Sequence, residues 1–140
     1  MEDMNRRSAL ALGLTAAAAA PLFVSSASAA TPVYGPEDGK ELFPGVRLVE
    51  IGEFHSDIPA YKSIFMVDIV FQPGAADVES VMDNDMVCFI LAGEFKINKV
   101  DKEFTVKEGE SYTCSKGKTD HATNISSVVG IHRASVLIPA

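Results

Sequence analysis

Beyond Ala29, no stretch of the chain repeats its apolar positions at helical spacing. The pattern is instead that of short strands between glycines and prolines. Glu94-Phe95-Lys96-Ile97-Asn98-Lys99-Val100 alternates polar with apolar, the mark of a half-buried strand. Asp101-Lys102 then turns the chain, and Glu103 to Val106 returns as the second arm of a hairpin. Ile64 to Phe71 is a denser run of β-branched and aromatic residues, stopped by Pro73-Gly74. Val46 to Ile51, Met86 to Leu91, Ser111 to Cys114 and Val128 to Ile138 complete the set, and Gly52, Gly93 and Lys116-Gly117-Lys118 mark the ends of the first three. Short strands so spaced predict an all-β sandwich or closed barrel, and a barrel removes exposed edges. Thr31 to Leu42, with Pro32, Gly35, Pro36 and Gly39, predicts an irregular lead-in.

The start of the chain has a different composition. Asn5-Arg6-Arg7-Ser8-Ala9-Leu10 precedes an alanine-rich apolar run to Val24, and Ala27-Ser28-Ala29 stands as a cleavage tripeptide. A cationic head, a short apolar segment and small residues at the end are the parts of a signal peptide. The run is shorter than the roughly 20 residues that a membrane-crossing helix needs. The arginine pair resembles the twin-arginine export signal; Ala9 stands where a phenylalanine is usual, so Sec export stays open. The expected organisation is a cleaved helical signal peptide over 1–29, a lead-in over 30–45 and one barrel over 46–140. The expected location is the bacterial periplasm or the outside of the cell.

Cleavage would remove two charges of each sign, so the exported chain keeps the net charge of −7. That acidity argues against nucleic acid and against an anionic membrane surface as partners, since both require basic protein surface.

Phe71-Gln72-Pro73-Gly74, then Phe89 to Phe95 around Gly93, then Val106 to Ser111 around Gly109, and finally Gly117 and Asn124 form a frame. This frame resembles the two motifs of the cupin family over roughly 61–137. The resemblance implies a double-stranded β-helix of the RmlC-like type, a jelly-roll barrel. It also leaves open a homodimer through edge strands. The family's metal site takes two histidines and a glutamate from the first motif and a third histidine from the second. On this chain those positions fall on Ser80, Met82, Met86 and Asp120, so the resemblance implies the scaffold without the usual metal centre, and no cofactor is expected.

Residues 80, 82, 86 and 88 share parity, so Ser80, Met82, Met86 and Cys88 are expected on the inner face, with Asp120 as a further pocket-lining residue. The leading reading is a pocket for an unidentified small molecule or partner. A metal-free isomerase or lyase using His121 and Asp120 is the alternative, because a histidine in the barrel mouth can act as a general base. A one-residue slip exchanges which of the two faces inward. A soft-metal site for Cu(I) through Met82, Met86 and Cys88, with Cys114 or His121, is the further alternative, set against plain core packing by the same residues. In an oxidising compartment Cys88 and Cys114 are expected to bridge, ahead of two buried thiols or a redox pair. His55 reads as loop. His132-Arg133 reads as a solvated face or an anion-binding pair, and the acids of Asp77 to Asp85 as a solvated rim.

Overall fold

A computed structural model describes residues 30–140; the expected export signal over 1–29 lies outside the described residues. Among the described residues there is no helix, and so none long and apolar enough to cross a membrane. The strands are β1 (Lys40–Phe43), β2 (Val46–His55), β3 (Tyr61–Phe71), β4 (Ser80–Val81) and β5 (Asp85–Ala92), followed by β6 (Glu94–Lys99), β7 (Glu103–Lys107), β8 (Ser111–Cys114), β9 (Thr119–Asn124) and β10 (Gly130–Pro139). They form a six-stranded sheet, β1-β2-β3-β10-β5-β8, and a four-stranded sheet, β4-β9-β6-β7.

Three strands have no counterpart in the sequence pattern. β1 falls inside the expected irregular lead-in because Pro44-Gly45 folds it back on β2, with Lys40 opposite Leu48 and Phe43 opposite Val46. Arg47 pins the segment before it, donating to the carbonyls of Glu37, Asp38 and Gly39. β9 is polar and poor in strand-forming residues; it is held by β6 on one side and the two-residue β4 on the other. His55 ends β2 rather than standing in a loop.

Each inner face follows the period-two rule. β9 alternates so that Asp120, Ala122 and Asn124 are buried while His121 and Thr123 are less so. In β10 neighbouring residues separate completely. His132 faces the interior, whereas Arg133 lies on the outer face and grips the buried Asp68 through two nitrogen–oxygen bonds of 2.7 and 2.8 Å. Tyr34 also donates to Asp68, fastening the lead-in over that face. His132-Arg133 is therefore neither a solvated face nor an anion-binding pair.

Two glycines and one asparagine close the barrel at one end. Gly93 turns from β5 into β6 at φ 84°, a conformation glycine adopts freely. A Cβ on Gly130 would lie 2.5 Å from the Phe95 ring, so β10 passes there only because that side chain is absent. Asn124 is fully buried. Its amide donates to the carbonyls of Phe71, Gln72 and Val128, and its oxygen accepts from Ser126. One side chain thus ties the ends of β3 and β9 to the turn before β10.

Candidate functional site

A cavity of about 270 Å³ opens inside the barrel. Its walls are apolar and come from Leu42, Phe43, Ile69, Met82, Met86 and Ala122. Ser80, Cys88 and Asp120 also line it, and Asp77, Tyr112, Cys114 and His132 join them. Tyr112 and His132 carry no motif of their own. The parity of β8 and β10 was their only local signal, and their meeting depends on which strands become neighbours.

The polar groups form a connected cluster. Nε2 of His132 is 2.6 Å from the Tyr112 hydroxyl, and Cys114 Sγ donates to Oδ2 of Asp120 at 2.5 Å. Oδ1 of Asp120 accepts the backbone N–H of His121. The Lys99 ammonium lies 3.8 Å from Cys114 Sγ and donates to the Thr113 carbonyl. His132 is enclosed by rings: Tyr112, Phe95 and Phe71 have centroids 5.6, 5.8 and 6.4 Å away.

These contacts divide the two thiols. The neighbouring Cys114 lowers the Cys88 pKa from 9.0 to about 5 against the opposing effect of burial, with the nearby His132 assisting. The same contact with Cys88, together with burial, pushes the Cys114 thiol up. Burial alone would lower His132, but the Cys88 and Asp120 charges outweigh it and the imidazole is shifted up. Burial also raises Tyr112, reinforced by the charge on Cys88.

The structure corrects two expectations here. Cys88 and Cys114 do not bridge; both are free and buried. Cys88 stands opposite Tyr112 and Cys114 opposite Met86, so the cysteines are diagonal neighbours. Second, His121 does not share the cavity with Asp120. It faces the other side of β9, where Nδ1 is 3.1 Å from Oδ1 of Asp77, and it lines an outer cleft with Glu79, Asn98 and Lys99. Asp120 thus lines the cavity and His121 the outer cleft, with Asp77 between them. Of the soft-ligand set, Met82, Met86, Cys88 and Cys114 all line the cavity, and the alternative fourth member His121 lies outside it.

Asp77 is also no solvated rim residue. Its Oδ1 accepts from the Ala122 N–H at 2.7 Å, and burial raises its pKa despite that bond and the nearby His121. Asp85 accepts the backbone N–H of Lys116, tying the start of β5 to the turn before β9.

A three-histidine, one-glutamate metal centre does not fit this donor set. Its positions carry a hydroxyl, two thioethers and a carboxylate, and Asp120 already accepts from Cys114 and from the His121 N–H. Thioethers suit soft ions rather than hard divalent ones. Among the described residues, no three His, Cys, Asp or Glu side chains are grouped to hold an ion.

No protein-family model matches the chain, and no curated protein matches it. Solved structures do. An uncharacterized conserved protein with a double-stranded β-helix domain from Klebsiella pneumoniae superposes with a TM-score of 0.58 at 13% identity, covering 79% of this chain and 92% of that one. An RmlC-like cupin from Shewanella frigidimarina gives 0.56 at 18% identity, covering 80% and 93%. KdgF from a Halomonas species gives 0.56 at 14% identity, covering 78% and 94%. The chain has the cupin double-stranded β-helix fold, as the two sequence motifs implied.

Proposed function

We propose that the chain is an exported cupin-fold protein that takes a small, mostly apolar molecule into its barrel and holds it without a histidine-based metal centre. The observation that carries this reading is the cavity itself, with apolar walls and a cluster of polar groups converging at one place. Such a composition is the usual one for small-molecule sites. At about 270 Å³ the space suits a ligand smaller than most drugs. A fold shared with many unrelated activities does not choose the ligand. Export is supported by the cationic head, apolar run and Ala27-Ser28-Ala29 of the leader.

Methionine-methyl NMR against a library of small molecules tests the reading. A ligand should shift Met82 and Met86 together and leave Met66, on the outer face of β3, in place. Shifts at Met66 alone, or none at any methionine, would reject the cavity as a site. Stoichiometric iron, manganese, nickel or zinc in protein purified from the cell envelope would reject the metal-free part.

A further inference from the structure

His132 is the least explained group in the cavity. It is 6% exposed and its Nε2 meets the Tyr112 hydroxyl, yet its Nδ1 has no hydrogen-bond partner. Buried polar atoms without partners are rare in folded proteins and call for a reason. Cys88 supplies one. β10 pairs with β5 so that Ala134 faces Cys88 and His132 faces Ile90, which places the thiol diagonally beside the imidazole on the same inner face. Both groups line the cavity.

We propose that Cys88 is a nucleophile toward small α,β-unsaturated carbonyl compounds that enter the cavity, with His132 holding and returning its proton. The inference rests on the cavity being a small-molecule site. A thiol beside an imidazole is the general arrangement of an activated sulfur nucleophile. The other groups facing Cys88 act in known directions. From β8, Cys114 lies beside it with its own proton donated to Asp120, and Tyr112 stays protonated; Asp120 on β9 and Asp77 before β4 add negative charge, and Lys99 on β6 adds positive charge beside Cys114. The balance favours the thiolate.

The electrophile class follows from the walls. A thiolate is a soft nucleophile, and the β carbon of an α,β-unsaturated carbonyl is a matching soft electrophile. The thiolate pair forms a C–S bond at the β carbon, and the C=C π pair moves into the enolate. The proton once on sulfur then passes from His132 to the α carbon. No electrons are gained or lost overall, and the apolar walls suit a short carbon chain.

The test treats the folded chain with N-ethylmaleimide and maps the adduct by peptide mass spectrometry. The adduct should appear on Cys88 and not on Cys114. Its rate should change less than about twofold between pH ~6 and ~8, where an ordinary thiol of pKa about 8.5 gains about tenfold per unit. His132→Gln should restore the ordinary slope; if that variant does not fold, the wild-type profile alone decides. Modification at Cys114, an ordinary slope, or reaction only after unfolding would overturn the proposal. N-ethylsuccinimide, the saturated analogue, separates the two readings by ligand-observed NMR. Its binding without any maleimide adduct would reject the nucleophile and keep the pocket, whereas absence of both would reject the pocket as well.

Discussion

At one end of the barrel, Phe71 and Ile90 from the six-stranded sheet meet Phe95, Ile97 and Ala122 from the four-stranded sheet. At the other, Val67, Cys88, Cys114 and Ala134 all come from the six-stranded sheet. Facing them are Met82 and, from the four-stranded sheet, Asp120, which accepts from Cys114. Both ends obey the same alternation of inward and outward side chains. They differ in whether a second layer is present. The first end has large side chains from two sheets, with Phe71 and Phe95 edge to face at 5.0 Å, and it is solid. The second has small or sulfur-bearing side chains with little opposite them, and the space left is the cavity. His132 sits at the boundary, its ring against Phe71 and Phe95 on one side and Tyr112 on the other.

Three experiments press on this contrast. Phe95→Ala removes a fully buried ring that also fills the space above Gly130, and it should cost about 3–5 kcal/mol in chemical denaturation. A loss near 1 kcal/mol would mean the solid end is no more tightly packed than the open one.

A pH-dependent effect should come next and belong to the open end alone. The folded-state pKa of Cys88 lies below its ordinary 9.0, so the thiolate stabilises the fold; that contribution is full above about 9 and lost as pH falls through about 5. His132 is shifted up, so its contribution has the opposite sense, present below its ordinary 6.5 and lost as pH rises through the folded value. On the acid side of 6.5 the imidazole is largely charged folded or unfolded, and Cys88 is the member of the pair still titrating. The stability gap between wild type and Cys88→Ala should therefore narrow as pH falls from 6.5 through about 5. A gap independent of pH would leave Cys88 as filler only.

The smallest effect is expected at Met86→Leu, a near-isosteric change beside open space, costing less than about 1.5 kcal/mol. A cost matching that of Phe95→Ala would show the open end to be ordinary core.

Much of the fold was legible because strand signals are local. The dense run ending at Phe71 and the alternating run from Glu94 can be read from a few residues each, and both became strands near the expected limits. β9 was not legible. Thr119 to Asn124 has almost no intrinsic strand preference and is held by its partners β4 and β6. The candidate site divides along the same line. Parity within a short stretch places Ser80, Met82, Met86 and Cys88 together, and they do line one cavity. Parity could not choose between Asp120 and His121, because the turn before β9 breaks the count.

From the sequence alone followed an all-β chain, most of its strands, its glycine turns and the absence of histidines at the usual metal positions. Those properties depend on residue type and on neighbours a few positions away. Only the tertiary structure turned Asp120 inward and His121 outward, set Cys88 and Cys114 as free, buried diagonal neighbours, and brought His132 beside Tyr112 across 20 residues of chain. These outcomes depend on which strands pair and in what register, and pairing is decided by burial of the whole inner face at once.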